Sequence, residues 1–102
     1  MEIKVRFDSK KVTTELTDTV SQMVRQMSQD LFNTIKGKTP VRSGRAKRAW
    51  RFKKQSETAY KVSNNVPYIE RLDEGYSKQA PRGMTRPALR EVLARARTRR
   101  KK

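Results

Sequence analysis

Val12, Leu16, Val20, Met23, Val24, Met27, Leu31 and Ile35 recur at three- and four-residue spacing and trace one continuous apolar stripe. That period predicts a single amphipathic helix over 9–36, with Asp8 and Ser9 as candidate N-caps and Gly37 as its stop. At roughly 1.5 Å per residue the helix approaches about 40 Å in length. A small sheet cannot cover all of it, so part of the stripe is expected to face another subunit. Met23 and Met27 are expected to fill gaps in the core.

The rest of the chain supplies short elements. "MEIKVRF" alternates, with Ile3, Val5 and Phe7 on one face and Glu2, Lys4 and Arg6 on the other, as in a half-buried strand. After the long helix, Pro40 and Gly44 punctuate a loop, and Ser43 is a candidate cap for a short turn through Arg45 to Ala49. "AWRFKK" and "TAYKVSN" read as a hairpin joined by "KQSE", with Trp50 and Phe52, then Tyr60 and Val62, on the core face and basic or polar residues on the other.

"VPYIERLDEG" predicts a short helix that Pro67 opens, that lays Ile69 and Leu72 on the sheet, and that Gly75 ends at a C′ position. The stretch 76–85 lacks periodicity and reads as a loop. Thr85 then caps a last helix whose apolar face is Leu89, Val92, Leu93 and Ala96. This order defines an α+β domain over 1–96: an N-terminal strand, a long helix, and a small, mostly antiparallel sheet with a short helix and a C-terminal helix packed on it. A basic tail follows at 97–102.

Charge narrows the function. Twenty-six Lys and Arg against ten Asp and Glu give a formal charge of +16, and only 33% of the residues are hydrophobic. Polyanions are the natural partners of such a chain, and a core this sparse is expected to be completed by neighbours. Cysteine and histidine are both absent, which excludes disulfides, zinc-finger ligation and any triad that uses either residue. No apolar run approaches the roughly 20 residues that cross a bilayer, and "MEIKVRF" lacks the apolar region of a signal peptide. A reducing, aqueous compartment is expected.

No constellation points to catalysis. Glu70, Asp73 and Glu74 cluster on the short helix, but Arg71 and the surrounding cations make ion pairing the better reading than metal or acid–base chemistry. The chain is expected to be neither an enzyme nor a cofactor carrier. The basic residues form two blocks. The first is Arg42, Arg45, Lys47, Arg48, Arg51, Lys53 and Lys54; the second is Arg86, Arg90, Arg95, Arg97, Arg99, Arg100, Lys101 and Lys102. Both are dense enough for phosphate contact, but neither carries a helix-turn-helix pattern, a ribonucleoprotein signature or paired aromatics for base stacking. Non-specific contact with DNA or with an acidic protein surface fits both, and a non-specific nucleic-acid-binding module is the alternative function.

Three stretches taken in order, "TPVRSGRAKRAW", "YKVSNNVPYIERLDEGY" and "MTRPALREVL", resemble the phage tail-completion and minor tail protein family typified by gene product ten of lambda-like siphophages. Pro40, Val41, Ser43 and Gly44 match its first element. Val62, Asn64, Tyr68, Leu72, Glu74 and Gly75 match the second, and Arg86, Pro87 and Leu89 the third. Ala46, Ile69 and Tyr76 depart from the family pattern. The resemblance implies a structural virion protein that forms a ring at the neck or head-proximal tail end, completes the tail and joins it to the head. It further implies a cyclic homo-oligomer, a hexamer or dodecamer, assembled in the host cytoplasm. Neighbouring neck, connector or tail-tube proteins are the expected partners, with non-specific DNA contact in the channel and no membrane. Trp50 is expected as a core anchor within the first element.

Overall fold

The computed structural model describes residues 1–7, 17–40, 44–75 and 80–100. The elements run β1 (Glu2–Arg6), α1 (Thr17–Lys38), α2 (Arg45–Arg48), β2 (Arg51–Ser56), β3 (Ala59–Ser63), α3 (Ile69–Asp73) and α4 (Thr85–Arg100). The fold is α+β: a three-stranded antiparallel sheet of order β1-β3-β2, with α1 packed on it and α4 packed on α1.

Register explains which side of the sheet is covered. Ile3, Val62 and Phe52 stand opposite one another across the three strands, as do Val5 and Tyr60. Opposed residues share a face, so these apolar side chains form one surface, and α1 lies over it. Phe32 of α1 meets Phe52 at a centroid distance of 5.7 Å, and Phe52 stacks on Tyr60 at 5.2 Å. Val20 and Val24 close over Tyr60 in a smaller cluster nearer the start of α1.

The main core gathers Leu31 and Ile35 of α1, Trp50, Val62, Ile69, and Met84, Ala88 and Val92 around α4. Met84, Ala88 and Val92 are spaced by four, so one stripe of α4 packs against α1. Leu93 was expected on that stripe but is 51% exposed, because it sits about 100° around the helix from Val92. Met23 is likewise exposed rather than a core filler, while Met27 is half-buried against the core.

The long helix does not stop at Gly37. It continues to Lys38, and the stop comes from the two residues that follow. Thr39 turns its hydroxyl back to the Ile35 carbonyl at 2.7 Å, and Pro40 has no amide hydrogen with which to extend the ladder. The buried indole of Trp50 donates to the same Thr39 Oγ1 at 2.8 Å, which ties the helix end to the start of β2. The expected start of α1 at Ser9, with its caps and with Val12 and Leu16, lies outside the described residues.

Two other boundaries shift. The hairpin turn is Glu57–Thr58 rather than "KQSE", because β2 runs on to Ser56 through a register irregularity between Lys54 and Ser56. Ser56 Oγ accepts the Thr58 amide, and Lys54 reaches Glu57 at 2.9 Å across the turn. At the other end of the chain, α4 passes Ala96 and runs to Arg100, since 93–100 contains neither glycine nor proline and is rich in good helix formers. Residues 97–100 therefore belong to the helix instead of a separate tail.

Candidate functional site

Asn64 is the polar hub beneath the first two motif stretches. It is 1% exposed; its Nδ2 donates to the Ala46 carbonyl at 2.8 Å, and its Oδ1 accepts the Val66 amide at 3.0 Å. One side chain thus fixes α2 against the turn that leads into α3. α2 itself begins at Gly44, which has φ 71° and is the N-cap residue, while Ser43, the expected cap, lies outside the described residues.

The end of α3 builds a second junction. Asp73 Oδ1 accepts the Met84 amide at 3.0 Å and the Thr85 amide at 2.8 Å, which satisfies two donors at the start of α4. Thr85, the expected cap, is instead the first helical residue, and its buried hydroxyl has no partner among the described residues. The approach needs glycine on both sides. A Cβ on Gly75 (φ 95°) would collide with the Pro81 carbonyl, and one on Gly83 (φ 80°) with the Asp73 carbonyl.

Motif residues distant in sequence meet around this junction. Thr39, Pro40, Pro81, Gly83 and Pro87 line a pocket of about 340 Å³. Asp73, Glu74, Arg86, Pro87 and Arg90 line an adjoining open cleft of about 760 Å³, and Arg82 borders both. Glu74 and Arg86 are exposed, and Pro87 is half-buried. Tyr68 precedes α3 and packs half-buried against the core, where Trp50 is 2% exposed. The cleft mixes acids and arginines, and no group of three or more potential metal ligands occurs among the described residues.

The first basic block divides by strand geometry. Arg51 and Lys53 project from the uncovered sheet face, whereas Lys54 opposes Tyr60 on the covered face, at its rim. Glu57 holds Lys54 there. Their hydrogen bond is the largest cause of a Lys54 pKa above, and a Glu57 pKa below, the ordinary value. Arg45, Lys47 and Arg48 lie on α2, beside the same end of the sheet, where Arg51 Nη1 donates to the Arg48 carbonyl at 3.0 Å. Arg42 lies outside the described residues.

The second block is less uniform than its composition suggests. Arg95 is an intramolecular tie. Its Nε and Nη2 grip both oxygens of Asp30 at 2.9 and 2.8 Å, and Nη2 also reaches Thr34 Oγ1 at 2.6 Å. The contact joins α4 to α1, and Lys38–Glu91 at 3.0 Å does the same one turn away. Arg97 is exposed; Arg99 and Arg100 fall on the last turn of α4, while Lys101 and Lys102 lie outside the described residues.

The uncovered sheet face contains residues that the block reading missed. Lys4, Lys61 and Lys53 stand in one register row across β1, β3 and β2, and Arg6 and Arg51 flank the row. Alternation within each strand already put Lys4 and Arg6 on an outer face, but strand order was needed to align them with Lys53 and Lys61. Among the described residues, no helix is long and apolar enough to cross a membrane. No family model, curated protein or solved structure matches the chain.

Proposed function

We propose that this chain is a structural virion protein of a tailed bacteriophage that forms a ring at the neck or head-proximal tail end and joins tail to head. The observation that carries the reading is the convergence of the three motif stretches. Pro40, Glu74 at the end of α3, and Arg86 and Pro87 in the first turn of α4 are separated in sequence but border one pair of adjoining pockets. A pattern that closes on itself in space in this way describes one packed unit rather than scattered coincidences.

Two features suit assembly. The exposed apolar side chains Met23 on α1 and Leu93 on α4 offer contact area to a neighbouring copy. The domain is elongated, at 46 × 28 × 18 Å, so opposite ends can meet different surfaces of the next subunit, as a closed ring requires. Native mass spectrometry of the purified chain tests this: a discrete hexamer or dodecamer is expected, and a strict monomer that is also absent from particles would sink the reading.

A further inference from the structure

The face of the sheet opposite α1 is left uncovered by the described residues and is rich in cations. It presents Lys4 and Arg6 from β1, Lys61 from β3, and Arg51 and Lys53 from β2, with Glu2 as its one carboxylate. Glu2 binds Lys61 at 3.2 Å. Among the described residues, Lys4, Arg6 and Lys53 have no carboxylate partner, although acids elsewhere serve Lys38, Lys54 and Arg95. The side chains between the cations are small, Ala59 and Ser63.

The row Lys4–Lys61–Lys53 runs against the local rules of sheet pairing. Like charges placed directly opposite each other destabilise a sheet, and strands lie about 4.8 Å apart, so three ammonium stems leave the backbone within about 10 Å. Lysine on an edge strand protects against edge-to-edge pairing, which accounts for Lys4 and Lys53 taken singly. It does not account for Lys61 on the central strand in the same row. Glu2 offsets Lys61 alone and leaves Lys4 and Lys53 on either side of it unbalanced, and such a conflict is expected where an external group supplies the balance.

We infer that this face docks the phosphate backbone of duplex DNA. A protein partner would call for an apolar or aromatic anchor within the patch, and interface centres are depleted in lysine; this face has no such anchor. Single-stranded nucleic acid would call for aromatic platforms, but Trp50, Tyr60 and Phe52 are packed on the other side of the sheet. Closely spaced cations on an open surface suit repeated phosphates and carry no means of reading sequence. The choice of duplex rests on the ring reading above, in which the chain surrounds a DNA passage.

The experiment measures binding of the purified chain to a mixed-sequence DNA duplex by fluorescence anisotropy across a salt series. Each phosphate contact contributes about 0.9 to the log–log salt slope, so Lys4→Gln/Lys53→Gln should flatten the slope by about 2. The wild-type advantage should then shrink about tenfold between about 50 and about 200 mM salt. Arg25→Gln/Arg71→Gln removes the same charge from exposed positions on α1 and α3 and should leave the slope nearly unchanged. Lys53→Gln alone, on an edge strand, should flatten it by about 1 and serves if the double variant folds poorly.

An unchanged slope in the lysine variants, an equal loss in the α1/α3 control, or binding of polyglutamate without duplex binding overturns the inference. The measurement uses purified protein, whereas the ring reading is tested by oligomeric state and presence in particles, so either can fail without the other.

Discussion

Asp73 holds the start of α4: its Oδ1 accepts the backbone amides of both Met84 and Thr85, across eleven and twelve residues of chain. The carboxylate serves as a helix cap delivered from another helix, and it sits where the motif residues gather. Asp73→Ala should lower stability by about 1–2 kcal/mol, in the range of a lost N-cap. Asp73→Asn keeps an acceptor and should lose less. Urea unfolding monitored by circular dichroism reads both; equal loss in the two variants would mean that charge, rather than acceptor geometry, is what matters.

Gly75 is the second support of the same corner. With φ 95° and the Pro81 carbonyl directly in the path of a Cβ, Gly75→Val combines backbone strain with a collision against main chain. Strain of this kind costs about 1–3 kcal/mol before the collision is counted. The variant should show a clear drop in melting temperature and poor incorporation into assemblies. A wild-type melting temperature would contradict the conformation assigned to this residue.

Thr39 and Trp50 form the tie at the other end of α1. Thr39→Val leaves the indole N–H buried without its acceptor and should cost about 1–3 kcal/mol, whereas Trp50→Phe removes the donor along with part of the buried ring. If the hydrogen bond matters, combining the two should cost less than the sum of the singles, as neighbours in contact do. Strict additivity in denaturation would assign the loss to packing alone.

The Lys54–Glu57 pair sets a pH signature at the hairpin turn. Glu57 has a folded pKa below its ordinary 4.5, so its contribution is present above that value and is lost as pH falls through the folded pKa. Lys54 has a folded pKa above its ordinary 10.5, so its contribution is present below that value and is lost as pH rises through the folded pKa. The melting-temperature difference between wild type and Glu57→Gln should therefore be flat between these limits and close at acid pH. Both groups are exposed, so added salt should shrink it.

Much of the fold is legible in the sequence because periodicity is local. The two-residue alternation of β1 and the hairpin, and the three- and four-residue spacing of α1, identify those elements and most of their buried residues without tertiary information, Met23 being the exception on α1. Long-range contacts are what sequence reading cannot supply. Thr85 has the chemistry of a cap and stands at the right place, yet Asp73 takes the role through a tertiary contact. Gly37 has the chemistry of a helix stop, but Thr39 and Pro40 end the helix. Similarly, Arg95 cannot be told from its basic neighbours until α4 lies beside Asp30. The lysine row appears only when the strand order β1-β3-β2 sets Lys4, Lys61 and Lys53 in register.

Removing residues 97–102 should leave the fold intact, since the stripe that packs α4 ends before them, at Val92. The same truncation should weaken docking to DNA or to an acidic partner by removing cations. A truncated chain that binds and assembles as the full chain does would assign those contacts to the sheet face and α2.

Cryo-electron microscopy of intact particles produced with this chain tests the central claim most directly. The account predicts a closed ring of copies between head and tail, with the row of Lys4, Lys61 and Lys53 turned towards the DNA passage. Particles that are complete without the chain, or a chain found only as a monomer outside them, would contradict it.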